Sequence, residues 1–289
     1  MSKIVDFHCT YDNSAGVSKD AVKNTDLKFP EAYQRWDLMA QLALVMKEFE
    51  HATFCELPFC HTLEGEALGG SINYGDENCG PRVKDYICTM AEEILSLPEI
   101  DYTKGRIAEV LKACKFLREK GEDVVLEISG PFTILNVLID PRVIFKILRK
   151  DPDSMKEIFA KLHKEILCFV EEGLRAGANM ISYADAAGGL NILGPKLSEH
   201  VVEVFTYPLL KEMEKILRDD AIILLCPKTT FALLGIDRAI WKDIDLAKPV
   251  KFSEGCAKII GQAKFAGQMC IKNKDYRLES GIIKTVELL

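Results

Sequence analysis

Four apolar, strand-like segments of the chain each end at a side chain that can do chemistry. These segments end at Ser129, Asp185, Cys226 and Cys270. A thiol can act as a nucleophile or a metal ligand, and a carboxylate can accept a hydrogen bond or take a proton. In a barrel of parallel strands and helices, the carboxyl ends of the strands share one rim, where the active site lies. We therefore predict that these four residues, distant in sequence, face one cavity.

Strand-like and helix-like segments alternate along most of the chain. Apolar residues recur at helical spacing in residues 105–120, 153–176 and 198–218. Strand-like apolar runs occupy residues 53–57, 124–129, 179–184, 221–226 and 263–269. The repeated order strand, helix, strand predicts the α/β class, with a parallel sheet and helical crossovers. A length of 289 residues fits a single (β/α)8 TIM barrel.

The two ends of the chain depart from this alternation. Residues 1–29 have no clear apolar period, which predicts an irregular leader. Near the other end, residues 276–279 and 282–288 flank Ser280-Gly281, which predicts a C-terminal β-hairpin. Because no linker, repeat or low-complexity segment interrupts the chain, we predict one domain over residues 1–289.

Composition narrows the classes of partner and compartment. The chain has 44 acidic and 37 basic residues, a net charge of −7 and no cluster of Lys and Arg, which argues against nucleic acid or an anionic membrane as partner. It contains no run of about 18 apolar residues, and its first residues lack the apolar core of a signal peptide. Ten cysteines in such a chain are typical of the reducing cytoplasm, so we expect a cytoplasmic protein with free thiols.

Each candidate side chain also has a structural interpretation. Asp185 either contacts substrate or caps the glycine-rich turn that follows it. Glu127 lies inside an apolar strand and either reaches the rim or forms a buried ion pair. Ser129 is either a ligand contact or a turn hydroxyl. Lys228 either reaches an anionic group at the cavity mouth or is simply exposed.

Several short motifs resemble the uroporphyrinogen decarboxylase superfamily. In chain order they are Glu66-Ala67-Leu68-Gly69, Gly130-Pro131-Phe132-Thr133, and the stretch 176–181 that leads to Asp185-Ala186-Ala187-Gly188-Gly189. Within the superfamily the chain is most similar to the methylcobamide:coenzyme M methyltransferase branch, over roughly Pro30 to Cys270. The resemblance implies a (β/α)8 barrel whose site lies at the carboxyl rim.

The same resemblance implies an enzyme that moves a methyl group between a corrinoid, carried by a partner protein, and a small acceptor or donor. Methyltransferases of this branch bind zinc through a His-x-Cys at the end of one late strand and a Cys after the next. The matching positions here are Leu224, Cys226 and Cys270, so a leucine replaces the imidazole. Zinc that activates a substrate normally has three protein ligands and one open position. A zinc site would therefore need another rim group, for which the candidates are His61, Glu56 and Asp185.

From their places at the strand ends, we predict Asp185 and Cys226 as catalytic residues and Glu127, Ser129 and Lys228 as substrate contacts. Two other functions remain open: a non-catalytic ligand-binding barrel that has lost its zinc site, and a decarboxylase or other lyase acting on a small carboxylic acid. Porphyrin decarboxylation is disfavoured, because the decarboxylases carry an Arg-rich N-terminal signature. The only early arginines here are Arg35 and Arg82.

Overall fold

The computed structural model describes residues 4–9 and 16–289. Its strands are Cys55–Leu57 (β1), Ser71–Asn73 (β2), Arg82–Asp85 (β3), Val124–Ser129 (β4), Met180–Ala184 (β5), Ile222–Leu225 (β6), Ala239–Asp245 (β7), Val250–Lys251 (β8), Phe265–Ala266 (β9), Arg277–Leu278 (β10) and Ile282–Leu288 (β11). The strands β1, β4, β5, β6 and β9 fall within the five predicted apolar runs, and β4 has the predicted bounds.

The α-helices connect these strands and cover the sheet. They are Lys19–Val22 (α1), Trp36–Phe49 (α2), Leu63–Ala67 (α3), Ala91–Ser96 (α4), Gly105–Glu119 (α5), Pro131–Leu138 (α6), Pro141–Lys150 (α7), Pro152–Arg175 (α8), Leu190–Leu193 (α9), Pro195–Val201 (α10), Tyr207–Ile216 (α11), Pro227–Gly235 (α12) and Phe252–Lys258 (α13). The predicted helix over 198–218 is divided, because a π-helical turn at Val202–Thr206 lies between α10 and α11.

The central sheet is mostly parallel, which confirms the predicted α/β class. Its strand order is β1-β4-β5-β6-β9-β11-β7, and the pairs from β1 to β9 are all parallel. The helical crossovers α5, α8 and α11 lie between successive parallel strands in the chain. The last part of the sheet differs from eight parallel strands, because β11 runs antiparallel to both of its neighbours. Within the described residues, the hydrogen-bonded sheet has seven strands.

The predicted C-terminal hairpin is wrong in its pairing. Residues 277–278 pair with 250–251 in a separate two-stranded sheet, whereas β11 pairs along its whole length with β7. The opposite edge of β11 is taken by β9, through Thr285 and Val286. A strand has only two edges for hydrogen bonding, so β11 has none left for the segment that precedes it.

The central strand β4 is buried along all six residues, as expected for a parallel strand covered on both faces. Helix α8 packs closely against it, because Gly173 has no side chain to hold the helix away. A Cβ atom at this position would lie 2.3 Å from the Cδ2 atom of Leu126. This close approach fixes the position of a strand that carries two polar residues, Glu127 and Ser129.

The predicted leader lies partly outside the described residues. Its described parts, 4–9 and 16–29, contain the short helix α1 and otherwise no helix or strand. In the part of the chain that the structure covers, every helix is too short or too polar to traverse a lipid bilayer.

We expect Gly173→Ala to lower the free energy of unfolding by about 1–3 kcal/mol, the usual effect of overpacking a filled core. A decrease in the free energy of unfolding would be informative, because alanine in a helix interior is otherwise more stabilising than glycine by roughly 0.5–1 kcal/mol. Chemical denaturation of the wild type and the variant measures the difference. Leu126→Ala in the Gly173→Ala background serves as the control and should lose less stability than the sum of the two single changes. Additive effects would show that the helix does not depend on this contact.

Candidate active site

A cavity of about 230 Å³ lies at the carboxyl ends of the parallel strands. It is lined by Cys9, His61, Ser182, Ala184, Ala186, Leu224, Leu225, Cys226, Lys228, Cys270, Ile271 and Lys272. The structure thus brings Cys226 and Cys270 to one cavity, together with Lys228 and His61. A larger cleft of about 650 Å³ lies beside α8 and α11, and none of the residues predicted from sequence lines it.

Cys226 directly follows β6 and is the N-cap residue of α12, so its thiol lies near a helix N-terminus. Burial raises the pKa of its thiol, and the nearby backbone N–H groups of Lys228 and Thr229 offset part of that rise. Helix N-termini normally favour a thiolate. Here burial is the larger effect, so the thiol is protonated and uncharged at neutral pH.

Cys270 follows β9 by four residues and approaches the cavity from a loop. Burial raises the pKa of its thiol to about 12, against the lowering effect of a hydrogen bond from the backbone N–H of Lys272. Ionisation of Cys226 would raise the pKa of Cys270 further, because the two sulfurs lie within electrostatic range of each other. The cavity therefore presents two neutral thiols from different strand ends.

Lys272, at the floor of this cavity, belongs to a buried ion cluster. The Lys272 Nζ lies 2.9 Å from the Glu56 Oε1 and is also ion-paired with the Glu127 carboxylate. Lys274 forms a second ion pair with Glu56. The register of β1 and β4 pairs Glu56 with Val125, which places Glu56 and Glu127 on the same face of the sheet.

The two carboxyl groups of this cluster differ in acidity. Although burial acts to raise it, the pKa of Glu56 lies well below its usual range because Lys272 and Lys274 both face it. Burial raises the pKa of Glu127 well above its usual range, and the neighbouring Glu56 charge adds to the rise while Lys272 opposes it. Glu56 is therefore the more acidic member of the pair, and Glu127 is the group that retains a proton more readily.

His61 lies between the ion cluster and the cavity. Its Nδ1 is 3.8 Å from the Glu127 Oε2. Burial lowers the pKa of the imidazole to about 3, and the positive charge of Lys272 contributes to the shift. His61 is therefore neutral at physiological pH.

The residues of this cavity do not fit a zinc site with three protein ligands. Leu224 occupies the imidazole position with an apolar side chain, and Glu56 is held by two lysines. Across residues 4–9 and 16–289, no three His, Cys, Asp or Glu side chains gather as ligands for one ion. Zinc sites need at least three such groups in addition to a substrate position. We therefore assign no step of a mechanism to a bound zinc ion.

Asp185 lies outside the lining of this cavity. It caps α6, the helix that follows the neighbouring strand β4. Its Oδ1 accepts hydrogen bonds from the backbone N–H and the hydroxyl of Thr133, both at 2.8 Å, and its Oδ2 accepts one from the Phe132 N–H at 3.3 Å. These are first-turn amides of α6, which have no partner within the helix. The sequence suggested a cap of the turn that follows Asp185, whereas the structure shows a cap of α6.

The other predicted substrate contacts divide between the cavity and the core. Lys228 lines the cavity, and its Nζ lies 3.2 Å from the Asn191 Oδ1. Ser129 is only 2% exposed, and its backbone N–H donates to the buried Glu64 carboxylate at 2.6 Å. Glu127 reaches the site through Lys272 and does not line the cavity.

The cavity wall includes a thiol and an ammonium group that sequence reasoning missed, those of Cys9 and Lys272. Cys9 lies in the segment predicted to be an irregular leader. A signal for Lys272 was present, because Cys226-Pro227-Lys228 and Cys270-Ile271-Lys272 share the pattern Cys-x-Lys after successive parallel strands of the sheet.

Comparisons with known proteins agree with this architecture. The family model described as "Uroporphyrinogen decarboxylase (URO-D)" matches residues 16–239. The methylcobamide:CoM methyltransferase MtaA of Methanosarcina barkeri is 25% identical over 245 residues, which is 83% of this chain and 71% of that protein. MtbA of Methanosarcina mazei, also a methylcobamide:CoM methyltransferase, is 25% identical over 214 residues, or 73% of this chain and 62% of its own length.

A solved structure also shares the fold. It is a methyltransferase from Methanosarcina mazei, with a TM-score of 0.64 and 23% sequence identity, covering 78% of this chain and 69% of that one. The similarity confirms the predicted uroporphyrinogen-decarboxylase-like barrel fold.

Asp185 makes a pH-dependent contribution to stability that can be isolated. Burial raises the pKa of its carboxyl to about 6, against the lowering effect of the α6 hydrogen bonds. The folded protein therefore binds a proton more tightly at this position than the unfolded chain does. We expect the unfolding free energy of the wild type, minus that of Asp185→Asn, to fall by about 1–2 kcal/mol between pH 4 and pH 7 and to level off above it.

Denaturant titrations at pH 4.5, 5.5, 6.5 and 7.5 test this expectation. Asp140 provides the matched control, since it caps α7 but its pKa is lowered to about 2 by hydrogen bonds from Arg142. Asp140→Asn should give a nearly constant difference over the same range. A constant difference for Asp185→Asn as well would disprove the assigned shift.

Proposed function

Because the chain belongs to the uroporphyrinogen decarboxylase family, we propose that it is an enzyme that transfers a methyl group between a corrinoid and a small molecule held in the cavity of Cys226 and Cys270. The observation that carries the proposal is the meeting of these two thiols, from separate strand ends, in one cavity. Support also comes from the relatives named as methylcobamide:CoM methyltransferases.

The size of the cavity indicates that it holds only one of the two reactants. A volume of about 230 Å³ is below the roughly 300–1,000 Å³ of sites for drug-sized ligands. It suits a small acceptor or donor and is far too small for a corrinoid ring. The corrinoid would therefore lie over the open mouth, carried by a partner protein.

When the methyl group passes to the small molecule, the nucleophilic atom of the small molecule forms a bond to the methyl carbon. The corrinoid would supply the methyl group as a substrate and would retain the electron pair of the broken bond. A proton on the nucleophile, where there is one, leaves to solvent through the mouth. The role of the chain is to bind and orient the small molecule, with the neutral Cys226 and Cys270 beside the reacting atom and Lys228 at the mouth.

The rival function is a ligand-binding barrel without catalysis. It is favoured by one observation, the leucine at position 224, where the family resemblance implies a zinc-binding histidine. Such a protein would keep the cavity and bind a small molecule without consuming a methyl donor.

An anaerobic assay with methylcobalamin separates the two functions. Demethylation of the corrinoid is followed by its visible absorption spectrum, with coenzyme M and a tetrahydropterin tested in turn as acceptors. We expect at least one acceptor to accelerate the loss of methylcobalamin over the rate without protein. Loss at the protein-free rate with both acceptors would favour the binding protein.

We expect Cys226→Ser to slow methyl transfer at least tenfold, which corresponds to about 1.4 kcal/mol of barrier. The hydroxyl is smaller and less polarisable than the thiol that lies beside the reacting atom. Cys168→Ser is the matched control, because Cys168 lies on α8 outside the cavity. Turnover of Cys226→Ser equal to that of Cys168→Ser would remove this thiol from the mechanism.

A further inference from the structure

Two of the three groups that sequence offered as substitute zinc ligands, Glu56 and His61, lie around Lys272 instead. The Glu56 carboxylate is 2.9 Å from its Nζ, and the imidazole of His61 lies within range of its charge. The backbone N–H of Lys272 also donates to the sulfur of Cys270. The ammonium group thus lies among the very side chains that a metal ion in this cavity would need.

Ion pairs fix this ammonium group in place. Lys272 is bound to Glu56 and to Glu127, and its side chain is only 13% exposed. The two carboxylates come from neighbouring parallel strands, so their positions are set by the sheet. A divalent ion entering the same space would meet a fixed positive charge and carboxylates that are already paired.

From this arrangement we propose that the ammonium group of Lys272 takes the place of a metal ion at the floor of the cavity and binds an anionic group of the substrate. Two lysines, Lys228 at the mouth and Lys272 at the floor, line the cavity. No carboxylate lines it among the described residues. The favoured substrate class is a small molecule with a carboxylate or another anionic group. This inference rests on the proposed use of the cavity as a substrate site, and its tests do not depend on methyl transfer.

Zinc titration against a chromophoric chelator tests the first part. We expect the wild type to bind zinc only weakly, with a dissociation constant above about 1 µM. Leu224→His restores a third ligand, yet it should bind zinc little better while the ammonium group remains. Adding Lys272→Met to Leu224→His should tighten zinc binding at least tenfold, or about 1.4 kcal/mol.

Two further variants control this titration. Lys228→Met in the Leu224→His background removes the other cavity lysine and should leave zinc affinity unchanged. If Lys272→Met alone fails to fold, it is combined with Glu127→Gln, which removes one buried charge of the opposite sign and keeps the buried charges balanced. The proposal is overturned if the wild type binds one zinc ion tightly and loses it in Cys270→Ser. It is equally overturned if removal of Lys272 leaves zinc affinity unchanged.

Alkylation of the cavity thiols tests the second part, with iodoacetate as an anionic probe and iodoacetamide as its neutral analogue. With either reagent a carbon–sulfur bond forms, iodide leaves and the thiol proton passes to water. The ratio of the two rates at Cys270, measured by mass spectrometry, cancels changes in thiol ionisation. We expect Lys272→Met to lower this ratio at least threefold, with no change at Cys168. An unchanged ratio at Cys270 would show that Lys272 does not attract an anion into the cavity.

Discussion

The pairing of buried charges at the cavity floor is the constraint on which the rest of the site depends. Glu56 and Glu127 are carried by β1 and β4, whereas Lys272 and Lys274 follow β9. In a flat sheet, β1 and β9 would lie about 19 Å apart, since four strand spacings separate them. The ion pairs therefore require that the sheet curves or that the loop after β9 crosses its end. Loss of one partner would leave a buried charge uncompensated, which is strongly destabilising.

The local pattern of apolar residues was sufficient to predict the elements that are buried in a regular way. The strand β4 is apolar through most of its length and buried on both faces, and helix α5 repeats its apolar residues at helical spacing. The pairing of β11 was beyond such reasoning, because its partners β7 and β9 are distant in the chain while a turn at Ser280-Gly281 suggested a local partner. Strand β9 is also shorter than its apolar run, so Cys270 approaches the cavity from a loop.

The candidate site was predictable to the extent that strand ends determine it. Cys226 and Cys270 follow adjacent parallel strands, and the sheet brings them together. Asp185 also follows a parallel strand, but the nearby N–H groups of α6 engage its carboxylate away from the cavity lining. Lys272 was missed because its partners Glu56 and Glu127 precede it by more than a hundred residues. Charge pairing at that separation leaves no periodic signal in the sequence.

The position of β11 has a consequence for the order in which the chain emerges from the ribosome. The strand is synthesised after β7 and β9, yet it lies between them and pairs with both. Until it emerges, each neighbour exposes an open row of amide and carbonyl groups, which is a template for pairing with other chains. Nascent or prematurely terminated chains that lack this segment are therefore natural clients for chaperones, although they already contain Cys226, Cys270 and Lys272.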